Sequence, residues 1–464
     1  MEENRKSNKY EMDMCNGPLL RKILIFSIPL MLSGMLQLLF NAADIVVVGQ
    51  FAGSDALAAV GSTSSLTNLL VNVFMGLSVG ANVLVARFYG AGQKKELDEM
   101  IHTAITTSFV CGAALVVLGM VLARPALTLM DTPSDVIDQS VLYMRIYFAG
   151  MPVMMLYNFG SAVLRAIGDT KRPLYYLLFA GVINVVLNLI FVICFHMDVA
   201  GVALATVLSQ AVSAILVIRC LVLNDGDVKL DLKRLRIVPD KLIKMIQIGV
   251  PAGLQGAMFS ISNVLIQSSV NSFGSLAMAG NTAGQNIEGF VYTAMNALHQ
   301  GAVSFSGQNY GARKIKRIAK TALICELTVT VVGIILCAIV LPLAPVLLKL
   351  YSKDPVVIQY GVDRLEIICT TYFLCGMMDV MVGILRGMGF SIAPMIVSLT
   401  GVCAFRVVWI YTIFAKYRTL DSLYLSYPVT WATTFFIQLM IFIIVYKRLR
   451  KRMPEESINS PISK

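Results

Sequence analysis

Twelve long apolar segments limit how this chain can fold more than any other sequence feature. Each is about 20 residues or longer, which is the length that a helix needs to cross the hydrocarbon core of a bilayer. The segments lie at about 23–48, 57–86, 101–123, 139–163, 174–196, 199–222, 242–270, 276–305, 321–347, 357–385, 391–415 and 423–446. A chain with 57% hydrophobic and 14% charged residues is also too apolar for a water-soluble globule. We therefore predict an all-α integral membrane protein with twelve transmembrane helices.

The basic residues are distributed unevenly between the two sides of the predicted membrane. The two tails and the alternate loops on their side hold thirty of the 38 Lys and Arg residues, whereas the intervening loops hold five. Because cytoplasmic loops carry the excess of Lys and Arg, we predict that both termini are cytoplasmic. This topology and the attraction to lipid headgroups account for the net charge of +11, so no nucleic-acid partner is expected.

The second half of the chain repeats the first half in the same order. The stretch KILIFSIPLMLSGM resembles KMIQIGVPAGLQGA, with Pro29 matching Pro251, and LRAIGDTKRP resembles LRGMGFSIAP, with Arg165 matching Arg386. Each repeat has six segments, so both enter the membrane from the same side and form a parallel repeat. Such a repeat is typical of transporters that open a central cleft to alternate sides of the membrane.

This repeat predicts two six-helix lobes on either side of a polar linker. The predicted boundaries are 1–222 for the N-terminal lobe, 223–241 for a cytoplasmic linker, and 242–464 for the C-terminal lobe with its basic tail.

Four polar residues of the N-terminal half are predicted to lie at similar depths in the membrane. Asn184 and Asn188 are four residues apart and therefore share one helix face. At 1.5 Å per residue, Asp44, Thr206 and Asn188 all lie within about 12 Å of the outer ends of their helices. Carboxylate, amide and hydroxyl oxygens suit a hard cation such as Na⁺, and a carboxylate alone suits a proton. The alternatives are that the amides and the hydroxyl only join helices, and that Asp44 reaches the headgroups.

The second half carries a different set of polar and charged residues inside its segments. Glu288 lies in the eighth segment, one turn after Gln285, and Asp379 lies in the tenth segment, where the repeat places Asn158. Arg406 lies in the eleventh segment and needs an acidic or carbonyl partner. These five residues are the candidates for lining a substrate cleft.

Each charged candidate also has a structural interpretation. Glu288 could be the partner of a basic group at the outer rim, and Asp379 could pair with Arg406 or Arg386. We expect Arg165 and Arg386, which end the fourth and tenth segments, to extend toward the inner headgroups.

Enzymatic motifs are missing from the sequence. There is no GxxxxGK[ST] phosphate-binding loop and no HExxH zinc motif, and the three histidines are scattered. We therefore predict no catalytic residue and no cofactor apart from a coupling ion, and a membrane-embedded enzyme is a remote alternative. The energy for transport must then come from an ion gradient or from a partner.

Several ordered stretches resemble the MATE family, the multidrug and toxic compound extrusion transporters. They are IPLMLSGMLQLLFNAADIVVVGQFAGSDALAAVG near the start, LRAIGDTKRP, INVVLNLIF and GVALATVLSQ. The resemblance implies a monomer in the bacterial plasma membrane that exports cationic and amphipathic drugs in exchange for Na⁺ or H⁺. It also implies that the coupling ion binds at Asp44, Asn184, Asn188 and Thr206. The alternative within the same superfamily is a flippase for lipid-linked oligosaccharides.

Overall fold

The computed structural model describes residues 10–130, 132–134, 136–224 and 226–452, and in these ranges the chain is helical without strands. The helices are α1 (Leu19–Ala52), α2 (Ser54–Gly90), α3 (Lys94–Leu129), α4 (Ile137–Ala149), α5 (Met151–Ala166), α6 (Lys171–Cys194), α7 (Asp198–Val222), α8 (Pro239–Asn271), α9 (Ser275–Gly311), α10 (Ile315–Leu348), α11 (Pro355–Gly387), α12 (Ile392–Phe414) and α13 (Leu420–Arg452).

These helices account for the twelve predicted segments. In the described ranges, ten helices are long and apolar enough to cross a membrane, and α4 and α5, bent by 47° at their junction, together form an eleventh span. The remaining predicted segment, 276–305, lies in α9, which has 37 residues and is too polar to be counted among the ten. Its polar residues, among them Asn281, Glu288 and Gln308, are buried against other helices, so they do not face lipid. The prediction of an all-α membrane protein is confirmed.

The helices form two lobes, which we call the N-lobe (α1–α7) and the C-lobe (α8–α13). Each lobe has its own apolar core, and the first helix of each repeat reaches into the core of the other lobe. Phe26 of α1 packs edge-on against Phe305 of α9, with ring centroids 5.7 Å apart, and Met245 of α8 is buried in the N-lobe core. Each half of the sequence thus contributes its first helix to the contact between the lobes.

The lobes meet closely in the halves of the helices nearest the two termini, which is the predicted cytoplasmic end. Gly76 and Gly80 of α2 lie against Gly249 and Gly253 of α8, and a Cβ atom on Gly76 would be 2.3 Å from the backbone nitrogen of Gly253. Small residues allow helix backbones to approach this closely inside a membrane. The lobes are therefore closed at this end.

The segment before α1 crosses the same end of both lobes. The backbone N–H of Met12 donates to the carbonyl of Ile167 in the N-lobe at 3.1 Å. Two residues later, the N–H of Met14 donates to Oε1 of Gln308 in the C-lobe at 3.3 Å, and Nδ2 of Asn309 donates to the Met14 carbonyl at 3.2 Å. This N-terminal segment thus joins the lobes where they are closed.

Candidate functional site

The four polar residues predicted in the N-lobe come together between α1, α6 and α7. Nδ2 of Asn188 donates to Oδ1 of Asp44 and, at 3.3 Å, to Oδ1 of Asn184. Nδ2 of Asn184 lies 3.5 Å from the Thr206 hydroxyl, and this hydroxyl lies 3.5 Å from Oδ2 of Asp44. The four side chains therefore form a closed polar ring around one carboxylate.

One atom of this ring has no partner among the described residues. Asn188 is only 1% exposed, and its Oδ1 makes no hydrogen bond. A buried carbonyl oxygen without a donor is unfavourable unless a ligand satisfies it. The residue that contacts the Asp44 carboxylate therefore also carries an unpaired oxygen, and carbonyl and carboxylate oxygens are the chemistry of a cation ligand.

The backbone changes geometry just beyond this ring. Helix α1 ends in a π-helical turn at Val48–Ala52, one turn after Asp44, and α6 ends in another at Ile190–Cys194, just after Asn188. Such turns are rare and are frequent at functional sites. Near these outer helix ends lies a buried apolar cluster of Val47, Val48, Ala56, Ala59, Val60, Val136, Val192, Val199 and Val202. The polar ring thus has an apolar cover toward the outer side.

A cavity of about 700 Å³ lies between the lobes and draws most of its lining from the C-lobe. Four of the five predicted cleft residues line it, namely Gln285, Glu288, Asp379 and Arg406. The fifth, Asn158, is not among the lining residues, and its Nδ2 donates to the carbonyl of Met154 in its own helix at 2.8 Å. Asn158 and Asp379 are equivalent positions of the repeat, but their side chains have different surroundings.

Glu288 is held in an ion pair inside this cavity. Nε and Nη2 of Arg364 each donate to a different carboxylate oxygen of Glu288 at 2.9 Å, and Nη1 donates to Oδ1 of Asn281 at 2.8 Å. The Arg364 side chain is fully buried. The sequence left a basic partner for Glu288 open as an alternative but did not identify Arg364. An arginine inside an apolar segment was the available signal.

Two other arginines have surroundings that the sequence did not predict. The Arg406 guanidinium stacks on the Tyr427 ring, with Cζ 4.1 Å from the ring centroid, so an aromatic face takes the place of the expected acidic or carbonyl partner. The expectation that Arg386 extends to the headgroups is wrong, because the lobe interface covers the end of α11. Arg386 is 7% exposed, and its Nη2 donates to Oε1 of Gln255 at 2.6 Å.

A second, smaller cavity of about 300 Å³ continues between the lobes toward the predicted cytoplasmic end. Arg165 of the N-lobe and Arg386 of the C-lobe both line it, so Arg165 also faces the interface rather than the headgroups. The other polar lining residues are Asn72, Ser78, Asn82, Asn296, His299 and Gln300.

Comparison with known proteins places this architecture in a family. The MatE family model matches residues 29–190 and again residues 251–412, once in each half of the chain. The chain belongs to the MatE family. The double match agrees with the internal repeat, and the predicted membership is confirmed.

Relatives and solved structures agree with this membership. The "Probable multidrug resistance protein YoeA" of Bacillus subtilis (strain 168) is 26% identical over 92% of this chain and 94% of its own length. An "FAD transporter" of Shewanella oneidensis is 27% identical over 75% of this chain and 77% of its own length. The outward-facing structure of a multidrug resistance MATE transporter is 22% identical, covers 96% of this chain and 100% of its own, and has a TM-score of 0.87.

Proposed function

We propose that this protein is a secondary active multidrug exporter of the bacterial plasma membrane, with both termini in the cytoplasm. It exchanges organic molecules in the central cleft for Na⁺ or H⁺ bound in the N-lobe. The observation that carries this proposal is the ring around Asp44, which is built from a lone carboxylate, two amides and a hydroxyl.

The chemistry of the ring supports a coupling cation. In the part of the chain that the structure describes, no three His, Cys, Asp or Glu side chains gather for a metal ion. A cation bound here would therefore rely on Asp44 and neutral oxygens, including the unpaired Oδ1 of Asn188. This donor set fits Na⁺, and protonation of Asp44 is the alternative way to neutralise its charge inside the membrane.

The shape of the molecule supports transport by alternating access. The lobes are closed where α2 and α8 meet at glycine residues, and the 700 Å³ cavity lies beyond this contact. Met130, at the outer end of α3, also lines the cavity, which therefore extends toward the outer side. Rocking of the lobes about the α2–α8 contact would open the cavity to the other side.

The chemical class of the substrate is less constrained by the family. The relatives named above differ, since one is named for drug resistance and another for FAD. The sequence-based expectation of a cationic substrate remains a prediction. Glu288 is weak support for a cationic substrate, because Arg364 already neutralises this carboxylate.

The experiment that tests exchange is efflux by the full-length protein in inverted vesicles. Ethidium uptake would be measured with an imposed Na⁺ gradient, an imposed proton gradient, or neither, and riboflavin 5′-phosphate uptake would be measured in parallel. We expect one of the two gradients to drive uptake of at least one compound and its collapse to stop it. Uptake that needs ATP and continues without either gradient would refute the proposal.

A further inference from the structure

We propose that the interlobe cleft is built for organic anions: an aromatic body occupies the larger cavity, and a phosphate or carboxylate group binds between Arg386 and Arg165 in the smaller one. The inference rests on the transport function proposed above and specifies its substrate class. It follows from the shape, the charge and the unpaired donors of the two cavities.

The two cavities are consecutive parts of one elongated cleft. Helix α9 contributes Tyr292 to the larger cavity and Asn296, one turn later, to the smaller one. Helix α2 does the same with Asn68 and Asn72. Because the same helices line both spaces one turn apart, an extended ligand can lie across them.

The residues that line the cleft carry an excess of positive charge. The larger cavity is lined by Glu288, Asp379, Arg364 and Arg406, which balance one another. The smaller cavity adds Arg165 and Arg386, and its described lining contains no carboxylate. Asp379, the nearest acid on α11, precedes Arg386 by seven residues, which places it about 10 Å along the helix. The positive charge is therefore concentrated at the closed end of the cleft.

Arg386 lacks the partners that a buried guanidinium needs. Its Nη2 donates to Gln255, but its buried Nε makes no hydrogen bond in the described structure. A guanidinium presents its N–H groups as a planar fork that matches the two oxygens of a carboxylate or phosphate. Arg165 approaches the same space from the opposite lobe. An anion between them would satisfy Arg386 and relieve the repulsion between two like charges.

The larger cavity suits the aromatic part of such a molecule. Its aromatic lining consists of Phe259, Tyr292, Tyr372, Tyr427 and Trp431. Aromatic side chains bind flat apolar rings through stacked and edge-on contacts. With about 700 Å³, the cavity is within the range of pockets that hold drug-sized molecules.

The test compares two ligands that share one ring system and differ in one phosphate. Riboflavin 5′-phosphate and riboflavin would be titrated against the purified full-length protein by flavin fluorescence polarisation, with ethidium as the cationic probe. We expect the phosphate ester to bind at least tenfold more tightly than riboflavin. Ethidium, measured by its own polarisation, is expected to bind more weakly than the phosphate ester. Equal binding of the two flavins, or tighter binding of ethidium, would overturn the proposal.

Arginine variants locate the binding of the phosphate. Arg386→Gln should weaken binding of the phosphate ester at least tenfold and leave riboflavin within twofold, and Arg386→Lys should lie between because it keeps charge but loses the fork. Arg219→Gln, at an exposed position of α7, is the matched control and should change neither flavin. Equal weakening of both flavins by Arg386→Gln would indicate a structural role only and contradict the proposal. If that variant does not fold, Arg165→Gln decides the question by the same criterion.

This binding experiment needs no ion gradient, so it can fail independently of the antiport proposal. A preference for the phosphate ester without gradient-driven transport would refute antiport and leave the anion site in place. Gradient-driven transport without that preference would refute the anion site and leave the antiport proposal in place.

Discussion

The acids inside the membrane have different surroundings in the two lobes. In the N-lobe, Asp44 is surrounded by two amides and a hydroxyl, whereas in the C-lobe Glu288 is held by two hydrogen bonds from Arg364. A charge paired in this way has its counter-ion fixed in the protein, and removing either partner leaves the other buried and uncompensated. A carboxylate among neutral ligands needs a mobile counter-ion instead. The difference suggests that the N-lobe exchanges ions and that the C-lobe pair shapes the cleft.

Breaking the C-lobe pair should have the largest effect. Arg364→Leu leaves the Glu288 carboxylate buried without a counter-ion and should destabilise the protein by about 3–5 kcal/mol. The double variant Arg364→Leu, Glu288→Leu should recover most of this loss, because it removes both charges. Thermal unfolding of the purified variants would measure both effects. An Arg364→Leu variant as stable as the wild type would show that the ion pair does not hold this part of the C-lobe together.

Removing a neutral ligand of the N-lobe should have a moderate effect. Asn188→Ala deletes the hydrogen bond to Asp44 and the unpaired Oδ1. We therefore expect the ion concentration for half-maximal efflux to rise about tenfold, which corresponds to about 1.4 kcal/mol of lost ion-binding free energy. The measurement is the ion concentration that gives half-maximal efflux. Asn158→Ala is the matched control, because that amide bonds within its own helix and should leave the concentration unchanged. An equal shift in the two variants would argue against the ring as an ion site.

Altering Asp379, the other acid that lines the larger cavity, should have the smallest effect and should change substrate binding. Asp379→Asn removes the negative charge two helical turns before Arg386, which should strengthen binding of riboflavin 5′-phosphate between about twofold and tenfold. The dependence of efflux on the coupling ion should stay within twofold of the wild type. A large change in ion dependence with no change in ligand binding would show that Asp379 acts on the coupling ion and would contradict its assignment to the substrate cleft.

Sequence reasoning reached the helices and the N-lobe ring because both depend on local patterns. Helix length and the four-residue spacing of Asn184 and Asn188 are set within one segment, and depth from the helix ends aligned them with Asp44 and Thr206. The internal repeat likewise predicts two lobes.

The C-lobe contacts could not be predicted in the same way. The partners Glu288 and Arg364 are 76 residues apart, and their meeting depends on how α9 packs against α11. The position of Arg386 depends on which surface covers the end of its helix. The headgroup expectation failed because Gln255 of α8 and the N-lobe residues of the smaller cavity surround Arg386. The repeat matches Asn158 with Asp379, but of the two only Asp379 lines the larger cavity.

The most direct test of the contrast between the lobes is gradient-driven efflux by Asp44→Asn in proteoliposomes. The variant keeps the shape of the ring and removes its charge, so the protein should still fold and bind ligand within twofold of the wild type. Efflux driven by the Na⁺ or proton gradient should be lost. Asp138→Asn, which changes an exposed acid at the start of α4, is the matched control and should retain efflux. Efflux at the wild-type rate in Asp44→Asn would contradict the assignment of ion exchange to the N-lobe.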